Sequence, residues 1–427
     1  MKYRIKNGLL LLYSDNKFMT KKEDLFVNGS TIEAIGCDGV NDIGTYEEID
    51  ADGKLIMPGL INSHTHVYMN FMKNSADDFP FNIWLFKKIC PIEAKMSGSD
   101  FYWGTMLGLV EMIKTGTTCY LDMHICENEC AKAAKDAGVR AFMGKCITGT
   151  DLYTDAYESY KRAFEEKDNY ESDLLKFVLS PHSVYACSPT LLKQISEEAQ
   201  KRNMLKHIHL SESDKEVADC LAEYGKTPVE LLDSIGFLDD KTIAAHCVKM
   251  VNNDIEILRQ KGVSVATNPS SNAKLGNGIA PVAEMLKNNL NVCLGTDSAA
   301  SNNTLNMFRE MGIFSILHKA DTKCATMLDA NNVLECATIN PSAFLQMKNK
   351  IGVIEKGANA DLIFVDLKAT SLFPNNNIVS SLCYSANGSE VQSVMINGNF
   401  VMKNGILTTI DIERVYYEIE KIVKKNI

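Results

Sequence analysis

The two ends of the chain share one pattern, in which short apolar runs are separated by tight turns. Residues 25–27 lead into Asn28-Gly29, and an extended stretch follows over residues 31–35. An Asn-Gly pair between two apolar runs is a strong signal for a β-hairpin. The same pattern returns near the other end, in residues 361–365 and 391–409. We therefore expect both ends to contribute to one small β-domain.

Between the two ends, strand-like and helix-like segments alternate. The clearest helix has Ser188 as its N-cap and Pro189 at its first position, with apolar residues along one face. The candidate strands are residues 55–61, 117–122, 140–146, 176–180, 205–210, 242–245, 263–267 and 291–295. Eight strands that alternate with helices are typical of a (β/α)8 TIM-type barrel.

This alternation predicts the domain organisation. We expect a barrel domain over residues 58–350 and a β-domain over residues 1–57 and 351–427. The interval after the first strand is long, so an insertion at about residues 68–99 is expected to cover the barrel mouth.

Composition and charge disfavour two classes of protein, nucleic-acid binders and membrane proteins. The net charge of −10 disfavours a nucleic-acid binder, which would carry a basic patch. No apolar run approaches the length of a membrane span, and the run at residues 9–12 is too short for a signal peptide. We expect a cytoplasmic enzyme that acts on a small molecule and forms a homo-oligomer. We do not expect it to bind nucleic acid or a membrane.

The cysteines are numerous but scattered. There are thirteen, with no C-x-x-C pair, and the closest spacing is that of Cys126 and Cys130. Several lie in apolar runs, where a thiol behaves as a small hydrophobic group. The pattern favours reduced thiols over a disulfide framework and over a thiolate metal site.

Polar residues at the strand ends provide candidate chemistry, because TIM barrels carry their active sites at the carboxyl ends of the strands. His64 and His66 are two residues apart, so both side chains point to one face of the first strand. His182, His209, His246 and Asp297 follow at the ends of later strands. A single one of these histidines could equally be a hydrogen-bonded core residue, but six of the eight histidines lie in or after predicted strands.

Three imidazoles and a carboxylate suit one divalent metal ion, zinc first and iron as an alternative. We take His64, His66, His209 and Asp297 as ligands. His207 competes with His209, because both lie on one face of the fifth strand. His246, Asp297 and Glu212 are the candidate proton carriers, although Glu212 could also be a plain loop carboxylate.

Several motifs together identify a family resemblance. They are Pro58-Gly59-Leu60-Ile61-Asn62-Ser63-His64-Thr65-His66, His207-Ile208-His209-Leu210-Ser211-Glu212, Ala245-His246-Cys247, Leu294-Gly295-Thr296-Asp297-Ser298 and Gly357-Ala358-Asn359-Ala360-Asp361-Leu362. With these, the chain resembles the amidohydrolase superfamily. Local motifs around Trp84, Glu93, His182 and residues 268–275 are similar to those of the methylthioadenosine/S-adenosylhomocysteine deaminases.

The resemblance implies a fold and a set of roles. The small domain would be a β-sandwich, and one metal would lie at the four positions already named. His246 would activate water, Glu212 would protonate the ring nitrogen, and Asp297 would help a proton reach the leaving ammonia. For the substrate, an adenosine-type nucleoside, the resemblance implies contacts with Trp84, Glu93 and His182.

One position departs from the family pattern. Relatives that act on S-adenosylhomocysteine carry arginines after the third strand, whereas this chain has Lys145 there, which we take as a substrate contact. Lysine lacks the bidentate fork of arginine, which shifts the expectation towards methylthioadenosine, deoxyadenosine or adenosine. The alternatives are a sibling enzyme for a ribose-free heterocycle (guanine, a pterin, cytosine or a triazine) and a catalytically silent barrel.

Overall fold

The computed structural model describes residues 1–38, 40, 43–126 and 128–427. Its first strands are β1 (Lys2–Lys6), β2 (Leu9–Ser14), β3 (Lys17–Lys22), β4 (Leu25–Asn28), β5 (Thr31–Ile35), β6 (Glu47–Asp50) and β7 (Lys54–Pro58). The central strands are β8 (Leu60–Thr65), β9 (Thr117–His124), β10 (Arg140–Ile147), β11 (Leu175–Phe177), β12 (Ser180–Pro181), β13 (Lys206–Leu210), β14 (Thr242–His246), β15 (Ser264–Thr267) and β16 (Asn291–Leu294). The last strands are β17 (Leu362–Asp366), β18 (Val391–Ile396), β19 (Asn399–Lys403) and β20 (Ile406–Leu407).

The helices fill the intervals between these strands. They are α1 (Phe81–Ile83), α2 (Cys90–Glu93), α3 (Gly98–Lys114), α4 (Glu129–Ala137), α5 (Tyr157–Tyr170), α6 (Pro189–Arg202), α7 (Asp214–Tyr224), α8 (Pro228–Ser234), α9 (Asp254–Lys261), α10 (Pro269–Lys274), α11 (Val282–Lys287), α12 (Met307–Thr322), α13 (Ala330–Ala337), α14 (Ile339–Phe344), α15 (Ile378–Tyr384) and α16 (Ile412–Asn426). A π-helical turn at Trp84–Ile89 joins α1 to α2, and 3-10 turns lie at Ile43–Thr45 and Val67–Met72.

The central strands form a parallel barrel. β8 to β12 make one run of parallel pairs and β13 to β16 make another. A parallel bridge between Leu179 and Lys206 joins the two runs, and the Asp297 amide donates to the His64 carbonyl at 2.9 Å on the closing side. Inward-facing apolar side chains, Ile61, Leu121, Phe142, Ile243, Ala266 and Cys293 among them, fill the interior. The predicted (β/α)8 fold is confirmed.

The strands from the two ends of the chain form two β-sheets that pack against each other. A seven-stranded sheet runs β20-β19-β18-β17-β7-β2-β3, and its β7 and β17 pair antiparallel, which joins the two chain ends. A four-stranded sheet runs β5-β4-β1-β6, and a buried apolar cluster lies between the sheets. The β-domain from both termini is thus confirmed. Its residue boundaries stay a prediction.

The structure confirms two local predictions and extends a third. The Asn28-Gly29 turn joins β4 to β5 as an antiparallel hairpin, and Ser188 caps α6 by accepting a hydrogen bond from the Leu191 amide at 3.1 Å. The C-terminal meander was incomplete as a prediction, because α16 follows it and packs against α3, with Lys425 Nζ 2.8 Å from Asp100 Oδ2. In the described residues, no helix combines the length and apolarity needed to cross a bilayer.

Candidate active site

Four predicted metal ligands meet at the carboxyl ends of the barrel strands. The ring nitrogens that His64, His66 and His209 offer lie within 4.8 Å of one another. Asp297 Oδ1 lies 3.5 Å from Nε2 of both His64 and His66, and Nε2 of His66 and His209 are 3.3 Å apart. His246 also forms a compact group with His64 and Asp297. The side chains therefore converge on one point, as the strand pattern predicted.

A hydrogen bond on each Nδ1 directs the opposite ring nitrogen to this point. His66 Nδ1 donates to the Met123 carbonyl at 2.7 Å, and His209 Nδ1 donates to the His182 carbonyl at 2.8 Å. His64 Nδ1 lies 2.8 Å from Nε2 of His207, the residue that competed with His209 as a ligand. His207 is thus a partner of His64 rather than part of the convergent group. Partners of this kind fix the tautomer in which Nε2 carries a free lone pair.

The electrostatics of the group fit a bound divalent cation. Burial lowers the pKa of His64 to about 3 and holds the pKa of His209 well below its ordinary value, so both imidazoles are neutral. Asp297 accepts hydrogen bonds from the Ser271 and Ser301 hydroxyls and from the Ser298 amide, which favour the carboxylate form. The buried Nε2 of His64 has no hydrogen-bond partner in the described residues. Neutral imidazoles and a carboxylate are the donors that zinc and similar ions bind.

The backbone that places these groups is unusual at several points. His246 and Asp297 have φ values of 73° and 60°, in the left-handed region that non-glycine residues rarely adopt. A Cβ on Gly295 would lie 2.8 Å from the His64 amide nitrogen, so only glycine lets the last strand end approach the first this closely. Strained backbone of this kind clusters at functional sites.

The candidate proton carriers lie beside the cluster. His246 Nδ1 donates to Asn272 Oδ1 at 2.8 Å, which leaves Nε2 free on the cavity side, 3.8 Å from Glu212 Oε2. Burial, and then the charge of Asp297, raise the pKa of Glu212 well above its ordinary value. Asn277 donates to Glu212 Oε1 at 3.1 Å and fixes the carboxyl group. Glu212 therefore binds a proton more tightly than an ordinary glutamate, which suits the role of a proton donor.

A cavity of about 350 Å³ opens above these groups. Its walls include three predicted substrate contacts, namely Trp84, Glu93 and His182. The indole Nε1 of Trp84 donates to the Ala300 carbonyl at 3.2 Å, and the Tyr68 hydroxyl donates to Glu93 Oε1 at 2.5 Å. The part of the lining contributed by the insertion is mainly apolar, with Phe81, Leu85 and Phe86.

The structure places Lys145, the fourth of these predicted contacts, away from the cavity. Its Nζ donates to the carbonyl oxygens of Ile125, at 2.9 Å, and of Cys126. The neighbouring Cys146 lines the cavity instead. Successive side chains of a strand point to opposite faces, so Lys145 lies behind the cavity wall, among the helices. Lys145 is thus not among the described residues that line the cavity.

Sequence reasoning gave no individual role to the residues that support the site. They include Tyr68, Ser271, Asn272, Asn277 and Glu216, whose carboxylate accepts the Ser211 and Glu212 amides at 3.0 and 2.8 Å. The sequence position of three of these residues did indicate a place near the site. Ser271, Asn272 and Asn277 follow the seventh strand, at the same end of the barrel as the other polar residues.

Comparisons with known proteins show which proteins the chain is similar to. The model of the amidohydrolase family matches residues 55–401. The chain is 39% identical over 431 residues to the 5-methylthioadenosine/S-adenosylhomocysteine deaminase of Thermoanaerobacter pseudethanolicus, with 100% of both chains covered. It is 43% identical to the enzyme of that name from Acetivibrio thermocellus, over 91% of this chain and 90% of that one. An adenosine deaminase from Xanthomonas campestris, crystallised with zinc, superposes with a TM-score of 0.93 at 30% identity, over 99% of this chain and 98% of that one.

Proposed function

Because the chain belongs to the amidohydrolase family, we propose that it is a metal-dependent hydrolytic deaminase of adenosine-type nucleosides. The reaction replaces the exocyclic amino group of the adenine ring by an oxygen from water and releases ammonia. The observation that carries this proposal is the position of Glu212, a proton donor fixed beside a convergent His/Asp cluster at the floor of a cavity. The volume of that cavity falls in the range of small-molecule sites.

The cluster binds a divalent metal cofactor, and its donor set supports a single zinc ion held by His64, His66, His209 and Asp297, with iron as the alternative. Such an ion supplies a water molecule that ionises near neutral pH. Elemental analysis of purified protein tests the identity and the number of the ions. Activity that survives complete metal removal would contradict the assignment.

The chain's own residues move the protons. Glu212 holds the proton that the ring nitrogen beside the reacting carbon needs, because that nitrogen becomes basic as water adds. His246 presents a free Nε2 that can take a proton from the attacking water, since its Nδ1 is engaged by Asn272. Asp297, which lies beside His246, can take that proton from His246 and pass it to the leaving amino group. The carbon–nitrogen bond then breaks, ammonia leaves, and the proton of the added hydroxyl group returns to Glu212.

The cavity walls suit a nucleoside. Glu93 presents a carboxyl group whose second oxygen is free to accept from a ribose diol, while Tyr68 holds the first. Burial lowers the pKa of His182 to about 4, so it offers a neutral imidazole for a polar contact with the nucleoside. Trp84, anchored through its indole nitrogen, provides a rigid flat surface.

The lining also favours an uncharged tail on the 5′ carbon. No lysine or arginine occurs among the described residues that line the cavity. A carboxylate in the tail would lose water there without gaining a cation, which is costly. The methylthio group, or the hydroxyl of adenosine or deoxyadenosine, carries no such penalty.

A substrate panel tests the proposal. Zinc-loaded protein is incubated with methylthioadenosine, adenosine, deoxyadenosine and S-adenosylhomocysteine, while ammonia and the adenine-to-hypoxanthine absorbance change are followed. We expect turnover of the first three and the lowest kcat/KM for S-adenosylhomocysteine. Glu212→Gln, which keeps the shape but cannot deliver a proton, serves as the inactive control. Turnover of guanine or other ribose-free rings alone would contradict the proposal, and a silent barrel would turn over nothing.

The homo-oligomer and the cytoplasmic location stay predictions. Light scattering on the purified protein and cell fractionation test them.

A further inference from the structure

A second group of metal-binding side chains lies behind the cavity wall, among the helices. His124 ends β9, Cys126 follows it, and Cys130 lies in the first turn of α4. Glu166 reaches the group from α5. His124 and Glu166 are fully buried, and both cysteines are at most 4% exposed. None of these residues belongs to the catalytic group described above.

The donor atoms of this group face one another. The two sulfur atoms are 2.9 Å apart, and Cys126 Sγ lies 3.3 Å from His124 Nδ1. The sulfur separation is well outside the disulfide bond length of about 2.05 Å. It is shorter than the about 3.8 Å expected between two thiolates of a tetrahedral zinc site with Zn–S bonds of about 2.3 Å, a difference that a small side-chain rotation can supply.

We propose that Cys126, Cys130 and His124 form a second, structural metal site that binds zinc through two sulfur atoms and His124 Nδ1. Soft thiolates with an imidazole are typical ligands of structural zinc. Thr105 places its hydroxyl 3.3 Å from Cys130 Sγ, so an oxygen is at hand for the fourth position, directly or through a water molecule.

The opposite nitrogen of His124 supports this assignment. Its Nε2 lies 3.2 Å from Glu166 Oε2, and neither this nitrogen nor either Glu166 oxygen has a hydrogen-bond partner in the described part of the chain. Histidines that bind a metal usually pair the other ring nitrogen with a carboxylate, and Glu166 is placed for this pairing. The arrangement therefore explains why a carboxylate is buried here against a single imidazole.

The charges in this pocket are also compatible with a bound dication. Two thiolates and the Glu166 carboxylate would place negative charge in a region without solvent, which is unfavourable unless it is compensated. A divalent cation compensates it together with Lys145, whose ammonium group donates to the Ile125 and Cys126 carbonyls. The ammonium group of Lys145 thus contributes positive charge beside this second site.

The location indicates what the site does. β9 carries the Met123 carbonyl that accepts from His66 Nδ1, and Ile125 lines the cavity. A metal ion that links His124 to the start of α4 would fix the positions of the Met123 carbonyl and of Ile125. The site would therefore be structural, and its ion would take no direct part in the reaction at the catalytic centre.

Metal counting on tag-free protein tests the proposal. We expect two zinc ions per chain in the wild type and one in Cys126→Ser and in Cys130→Ser. Asp297→Asn, altered only at the catalytic centre, should keep the second ion. Cys220→Ser, which removes a buried thiol outside the group, is the matched control and should keep two ions.

Cobalt substitution gives a readout that does not depend on the stability of the variants. Wild-type protein loaded with Co²⁺ should show an intense thiolate-to-cobalt charge-transfer band in the near ultraviolet, which the catalytic His/Asp group cannot produce. One bound ion per chain, two bound ions without that band, or a disulfide between Cys126 and Cys130 in non-reducing mass spectrometry would overturn the proposal. Each of these results is separate from a failure of the deaminase assay.

Discussion

His64 and His207 share a hydrogen bond in the barrel interior, with 2.8 Å between His64 Nδ1 and His207 Nε2. Both side chains are fully buried. For His64 to bind a metal through Nε2, its Nδ1 must carry the proton and donate it to His207. In the His207-Ile208-His209 motif, His209 is therefore a proposed metal ligand, while His207 orients the ligand His64.

This relationship predicts the effect of His207→Phe. The variant leaves all four proposed ligands in place but removes the partner that fixes the tautomer of His64, so we expect metal affinity to fall by about 10–100-fold. Competition with a chromophoric chelator measures this loss. His318→Phe, at a buried histidine of α12 outside the site, should leave affinity unchanged. Equal affinity of His207→Phe and wild type would show that the hydrogen bond does not orient His64.

A second prediction concerns ribose recognition. Glu93→Gln replaces one acceptor oxygen by a donor, and the loss of a hydrogen bond to a charged group costs about 1.5–3 kcal/mol, or about 10–100-fold in kcat/KM. Tyr68→Phe keeps the carboxylate and should have a smaller effect, because only the supporting hydroxyl is lost. Steady-state kinetics with adenosine and 2′-deoxyadenosine measure both. A similar loss of activity on adenine would place Glu93 against the ring rather than the ribose.

The sequence predicted the barrel and the convergent side chains because both follow from local rules. His64 and His66 share a strand face, and parallel strands bring their carboxyl ends to one edge. Along β10 it is Cys146 rather than Lys145 that lines the cavity, and a family position alone does not give the direction of a side chain. The Cys126 and Cys130 pair has no C-x-x-C spacing to indicate a metal site, and only the folded β9 and α4 bring both sulfur atoms close to His124. Tertiary contacts of this kind leave no periodic signal.

A third prediction concerns the contact between the barrel and the β-domain. Arg140 binds Asp361 through two bonds, Nε to Oδ2 at 2.6 Å and Nη2 to Oδ1 at 3.1 Å, and both side chains are 1% exposed. Arg140→Met leaves a buried carboxylate without its partner, and we expect a loss of about 3–5 kcal/mol in the free energy of unfolding.

Urea denaturation measures this loss. The double variant Arg140→Met/Asp361→Leu removes both charges and should recover most of it. Lys215→Ala, which breaks an exposed pair with Asp219, should change stability by no more than about 1 kcal/mol. A loss in Arg140→Met as small as that in Lys215→Ala would mean that the buried pair does not stabilise the fold.

The last prediction is a pH dependence of stability that originates at Glu310. This carboxyl group is fully buried in α12 and accepts from the Ser270 amide at 2.8 Å and from Asn302 Nδ2 at 2.9 Å. Burial raises its pKa to about 7, although those hydrogen bonds act in the opposite direction. The folded chain therefore binds the proton more tightly than the unfolded chain, whose Glu310 has an ordinary pKa near 4.5.

The sign follows from this difference in proton binding. The stabilisation from protonated Glu310 is complete below pH 4.5 and is lost as the pH rises to about 7, which amounts to about 3 kcal/mol. Glu310→Gln stays neutral, so its free energy of unfolding should decline less between pH 5 and pH 8, by about that amount. Part of the decline should persist, because burial also raises the pKa of Glu216 to about 7. Glu256→Gln, at a carboxylate with a pKa of about 2, should leave the decline unchanged. Parallel pH profiles for Glu310→Gln and wild type would mean that Glu310 stays ionised in the folded chain, and that its contacts with Ser270 and Asn302 outweigh its burial.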